Sequence, residues 1–129
     1  MKKLISTPNA PAAIGPYSQG VACSGSLVFV SGQLPVNPQT GSFAGDTIEE
    51  LTHQSIKNVI AILNAAGCSL CDVVKTTVYL SDMNDFAAMN AVYSEYFTQG
   101  LPARAAVEVA RLPKNARIEI EAIAVKQEN

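Results

Sequence analysis

The chain has no tryptophan, a single histidine and three cysteines among its 129 residues. With only His53 available as an imidazole base, and no partner for it in the sequence, no Ser–His or Cys–His nucleophile pair can be assembled. An odd cysteine count suits a reducing compartment better than a disulfide scaffold. The pair in "CSLC", Cys68 and Cys71, follows a helix end closed by Gly67, where the dipole disfavours a thiolate. A zinc site built on that pair would have only Cys23 and His53 to complete it, so the cysteines read as structural and no metal is expected. There is no surplus of positive charge either: 9 Lys and Arg stand against 11 Asp and Glu, for a net −2. Sequence-independent nucleic-acid binding rests on basic surface, so no nucleic-acid partner is expected. No apolar run approaches the roughly 20 residues that span a bilayer. The opening "MKKLISTPNAPAAIG" has too short an apolar stretch for a signal-peptide core. These absences predict a cytoplasmic protein with no membrane partner, and leave mitochondrial import open.

What is present is a globular composition, 48% hydrophobic and 16% charged, read as one domain over residues 1–129. Leu4 and Ile5 begin a short strand before the proline-broken loop "TPNAPAAIGPYSQG". "GVACSGSLVFVSG" reads as a hairpin, and "QLPVNPQTGSFAGD" as a turn-rich surface loop. Thr47 and Glu50 have capping-box spacing, an apolar stripe runs from Ile48 to Ala66, and Gly67 can close the helix. "DVVKTTVYLSD" is a strand. A second helix follows with Asp82 as N-cap and the stripe Phe86, Met89, Val92, Tyr93, Tyr96 and Phe97. "ARAAVEVARLPKNARIEIEAIAV" reads as a closing hairpin. The order predicts an α+β fold: a single mixed β-sheet with two helices packed on one face. Leu27, Phe29, Val78, Leu80, Ile123 and Val125 would then leave an apolar second face, which predicts self-association.

Period-2 alternation collects Arg104, Glu108, Glu119 and Glu121 on one side of the closing hairpin if its apolar faces share a core. Two readings follow. Arg104 pairs with one of the glutamates as a structural ion pair, or its planar fork grips a ligand carboxylate while Glu119, between Ile118 and Ile120, acts as acid or base. Asn90 falls at the inward edge of the second helix's stripe, Tyr17 follows a proline turn, and "SGQ" ends an apolar strand at Ser31–Gly32. Each could line a ligand site or serve packing alone.

"NAPAAIGPYSQG", "VSGQLPVNPQTG", "NVIAILNAAG", "DVVKTTVYLSDMNDFAAMNAVYSEYF" and "PARAAVEVARLPKNARIEIEAIA" together resemble the RidA (YjgF) family over essentially the whole chain. The resemblance implies a chorismate-mutase-like homotrimer with sites in the clefts between subunits. It implies no metal or organic cofactor, and hydrolysis of 2-iminobutanoate or 2-iminopropanoate to the 2-oxo acid and ammonia. It assigns Arg104 to the substrate carboxylate and Glu119 to the water, with Tyr17, Ser31, Gly32, Asn90 and Ala106 lining the site. Ala106 stands where many members of that family carry cysteine, which removes thiol chemistry there. Two rivals remain open: a non-catalytic 2-oxo acid-binding module using the same arginine, and a protein-interaction or chaperone-like role using the apolar face.

Overall fold

The computed structural model describes residues 1–127. The first helix forms where local signals place it, whereas the second begins a turn after its expected N-cap, Asp82. In α1, Ile48–Ala65, the Glu50 backbone N–H donates to the Thr47 hydroxyl at 3.1 Å, and the Glu50 carboxylate accepts in return from the Thr47 N–H. At the far end Gly67 takes φ +79°, so Cys68 N–H reaches the Leu63 carbonyl (2.8 Å) and Gly67 N–H that of Asn64 (3.0 Å). Asp82 caps a 3-10 turn, Met83–Asp85, that leads directly into α2, Phe86–Tyr96.

The described residues form six strands: β1 Lys2–Ile5, β2 Gly20–Cys23, β3 Ser26–Gln33, β4 Val73–Leu80, β5 Ala103–Glu108 and β6 Ile118–Lys126. Their pairing departs from the sequence expectation in two places. β2 turns back on β1, whereas β3 joins β6, so no β2–β3 hairpin forms. Gly25 makes the change of direction possible: its φ is +133°, and a Cβ there would press on the Lys126 carbonyl and the Val125 side chain. The expected single sheet is therefore a four-stranded mixed sheet, β3-β6-β4-β5, beside a separate β1-β2 ribbon. The closing hairpin is likewise two strands that do not pair, because β4 lies between β5 and β6. β4, α2 and β5 form a parallel crossover unit. The chain then passes beyond β4 through residues 109–117, where Leu112 is buried and Lys114 and Asn115 adopt left-handed φ of 57° and 54°.

Both helices cover one face of the sheet. Val30, Val78, Leu80, Ile118, Ile120 and Ala122 meet Leu51, Ile56, Val59, Met89, Tyr93 and Phe97 in the core. Val78 and Leu80 thus belong to the covered face, contrary to the expectation above, and Val125 is buried near Gly25. The opposite face carries Leu27, Phe29, Lys75, Thr77, Tyr79, Glu119, Glu121 and Ile123 by the alternation and register of β3, β4 and β6. It is more polar than expected, yet Phe29 on it is 69% exposed.

Candidate functional site

Arg104 sits on β5, an edge strand of the sheet, in register with Thr76, and so faces α2. Its Nη1 donates to Asn90 Oδ1 at 2.7 Å. The guanidinium carbon lies 4.7 Å from the ring centre of Tyr93, 5.4 Å from Tyr17 and 5.6 Å from Phe86. Phe86, Asn90 and Tyr93 recur at helical spacing, so one face of α2 supplies both the amide and two of the three rings. Tyr93 is fully buried; its hydroxyl is 2.7 Å from Thr76 Oγ1, and burial pushes its phenol up to about 12. Desolvation pulls the Arg104 guanidinium below its ordinary range, opposed by Tyr93 and Tyr17. Tyr17 reaches this place from a loop pinned to the head of β5: Ser18 N–H donates to the Pro102 carbonyl (3.0 Å) and its hydroxyl to that of Leu101 (2.6 Å). A tight turn about Pro16 joins Tyr17 N–H to the Gly15 carbonyl (2.8 Å), which sets Gly15 against the guanidinium.

The glutamates are not where the alternation argument put them. Arg104 and Glu108 lie on the helix side, Glu119 and Glu121 on the other, since Thr76 pairs with Arg104 while Tyr79 pairs with Glu119. Glu108 accepts from Met83 N–H (2.8 Å) and Glu121 from the Tyr79 hydroxyl (2.6 Å), a bond that raises the Tyr79 pKa. Among the described residues the ion pairs are His53–Glu95 and Arg117–Asp85, so Arg104 has no structural carboxylate partner. What remains is a desolvated cation that, among the described residues, is hydrogen-bonded to the Asn90 amide and to no carboxylate, and whose fork suits a planar anion.

The second group lies on the uncovered face. A bulge in β3 sets Ser31 and Gly32 against β6 where the register shifts between Val30 and Gln33. The Glu119 carboxylate rests over Gly32, and a Cβ at that position would overlap it. Beside it a cavity of about 300 Å³ is lined by Phe29, Ser31, Lys75, Thr77, Glu121 and Ile123. Ala106, two residues beyond Arg104, shares the helix side and packs on the core margin. The predicted site residues therefore separate into Tyr17, Asn90, Arg104 and Ala106 on one face and Ser31, Gly32 and Glu119 on the other. Phe86 and Tyr93, expected as part of the core stripe, and Gly15, singled out by no sequence signal, also border the arginine. The spacing of Phe86, Asn90 and Tyr93 was the available signal.

The remaining chemistry-bearing residues stand apart. His53, expected to lack a partner, has its Nδ1 2.7 Å from the Tyr96 hydroxyl and so links the two helices. Cys68 is buried, with its thiol pushed up by burial, and Cys71 is exposed. Among the described residues no three His, Cys, Asp or Glu side chains form a metal-binding group, and no helix is long and apolar enough to cross a membrane.

The family model described as Endoribonuclease L-PSP matches residues 7–126. The chain belongs to that family, which includes YjgF and RidA. A 2-iminobutanoate/2-iminopropanoate deaminase from Salmonella typhimurium is 56% identical over 130 residues, covering 98% of this chain and 100% of its own. A RutC family protein from Pyrococcus horikoshii is 57% identical over 127 residues, covering 98% of this chain and all of its own. Among solved structures, the YjgF gene product of E. coli has a TM-score of 0.75 at 54% identity, covering 97% of this chain and 99% of that one. E. coli TdcF with bound serine has the same TM-score at 50% identity and the same coverage.

Proposed function

We propose that this protein hydrolyses short-chain 2-imino acids to 2-oxo acids and ammonia, at a site shared between copies of a homotrimer. The observation that carries the reading is the guanidinium of Arg104, half-buried among three rings and held by Asn90, with no carboxylate partner among the described residues. Such a fork suits a carboxylate bidentately and would fix C2 beside it. Deaminase relatives act on imino acids, and a relative that holds serine takes a ligand with the same carboxylate end. The imine carbon is already electrophilic, so placement of the substrate, a water and a proton acceptor suffices. Water adds to C2 as Glu119 takes one of its protons and returns it to the nitrogen; the new hydroxyl then gives its remaining proton, by way of the same carboxylate, to the nitrogen as the C–N bond breaks, leaving the 2-oxo acid and ammonia. No metal or organic cofactor enters this scheme. Ser31 and the bare backbone of Gly32 would line the water side, Tyr17 and Ala106 the substrate side.

Within one chain Arg104 and Glu119 stand on opposite faces of the sheet, two strands or roughly 10 Å apart across it. A head-to-tail contact would set the uncovered face of one copy against the β5 edge of the next, bring the two groups together and cover Phe29. Repeated, it closes into a ring of roughly 40 kDa for three copies of a 13.6 kDa chain. Three free thiols suit the reducing cytoplasm, where the same reading places the protein.

The test generates the imine in situ with an amino-acid oxidase or threonine dehydratase and follows 2-oxo acid release. Release faster than spontaneous hydrolysis is expected. Equal rates with and without the protein, alongside measurable 2-oxo acid binding, would leave a binding module. A stable monomer by light scattering at micromolar concentration would remove the shared site.

A further inference from the structure

Between β1 and β2 runs a loop with three prolines, Pro8, Pro11 and Pro16, none of which can donate a backbone hydrogen bond. Its organiser is the side chain of Gln19. The Gln19 Oε1 accepts from Thr7 N–H at 2.6 Å, and Nε2 donates to the carbonyls of Pro11 (2.6 Å), Thr7 (3.1 Å) and Ala10 (3.3 Å). An amide with two N–H groups and one carbonyl is nearly saturated by these four contacts, the long one to Ala10 sharing a proton. The loop thus gains from one side chain the partners that its own backbone lacks. Its two ends are fixed by the β1–β2 pairing, Ile5 to Gly20, and by Ser18 on the head of β5. Between these anchors the Gly15–Pro16–Tyr17 corner meets the guanidinium of Arg104.

We propose that Gln19 is a positioning residue: by closing the residue 7–11 half of the loop, it holds Tyr17 and Gly15 against Arg104 and so sets how well the arginine captures a carboxylate. The inference rests on the function proposed above for Arg104, but not on turnover. The hydrogen bonds of Gln19 go to Thr7, Ala10 and Pro11 and not to Arg104 or Glu119, so its effect belongs to substrate capture and not to the hydrolytic step.

The test compares wild type, Gln19→Ala, Gln19→Glu and Tyr17→Leu by two readouts. The first is the NMR resonance of the Arg104 Nε–H, which senses the Tyr17 ring without any ligand. The second is the Kd for 2-oxobutanoate, with KM and kcat on the imine. In Gln19→Ala the Nε–H resonance should move toward its position in Tyr17→Leu. Kd and KM should rise about tenfold through lost preorganisation while kcat stays within about twofold. Gln19→Glu keeps the acceptor for Thr7 N–H but loses the donors, so it should follow Gln19→Ala. An unmoved resonance, or a moved one with unchanged Kd, overturns the role of Gln19 and leaves the proposed function standing. Wild-type protein that neither binds the 2-oxo acid nor turns over the imine removes the function instead, while the resonance still decides whether Gln19 positions Tyr17.

Discussion

Arg104 and Glu119 are both strand residues near the sheet surface, but their surroundings differ in kind. Arg104 occupies a recess complete within one chain: Asn90 holds one nitrogen, and Tyr17, Phe86 and Tyr93 supply its walls. Glu119 lies on an open face with the bare backbone of Gly32 beneath its carboxylate, while its neighbour Glu121 is already engaged by Tyr79. The half that would grip substrate is preorganised by packing. The half that would activate water has no roof. Capture on this reading is a property of the monomer, whereas chemistry is a property of the assembly.

Glu119→Gln should break the contrast most severely. It keeps size and hydrogen bonding but cannot take a proton, so kcat should fall by about 10²–10⁴-fold with the melting temperature nearly unchanged. A loss of stability with near-normal kcat would make Glu119 structural. Arg104→Lys keeps charge but loses the fork, and should lower kcat/KM by about 10–100-fold, the worth of a charged hydrogen bond. Mixing unfolded Arg104→Ala and Glu119→Gln chains and refolding them together sharpens the comparison. If each site draws its two groups from different copies of a trimeric ring, turnover should recover to about a quarter of wild type. No recovery in verified mixed trimers would place both groups in one chain.

Smaller effects follow from burial. The Tyr93 phenol, raised from 10.0 to about 12, keeps its proton more tightly folded than unfolded. Its contribution is therefore present below about pH 10 and lost as pH climbs from there through about 12, a swing of about 2–3 kcal/mol. Melting curves of wild type and Tyr93→Phe should converge over that window. Replacing Cys23, Cys68 and Cys71 together by alanine should change turnover by no more than a few fold. A hundredfold loss in folded trimer would show that "CSLC" serves the site.

The parts legible in the sequence were those decided by neighbours along the chain. Thr47, Glu50 and Gly67 mark the ends of α1 because capping is local. Alternation located the strands for the same reason. Pairing is not local, and there the reading failed: a turn such as "RLPKN" between two strands says nothing about whether a third lies between them. The same gap misplaced Arg104 relative to Glu119. Alternation sorts residues within a strand but does not phase one strand against another, and that phase comes from Thr76, buried beneath Tyr93. The residues flanking Arg104 were half legible, since Phe86, Asn90 and Tyr93 share a helical stripe, but the reach of Gln19 into its own loop left no periodic trace.

The position of β6 between β3 and β4 also governs the order in which the protein can be made. Of the six strands β6 leaves the ribosome last, yet it is the inner strand on which both β3 and β4 pair. Until it arrives, β3 has no partner in the sheet and the helices have only part of the surface that Ile118, Ile120 and Ala122 complete. Cotranslational folding can therefore build α1 and the β4–α2–β5 unit, but the sheet must wait for the chain beyond residue 117 to join β3 to the free edge of β4. Such long-range closure is intrinsically slow. During that wait the strand edges and the underside of α1 stay exposed, which makes late synthesis the interval in which this chain is most open to misassembly.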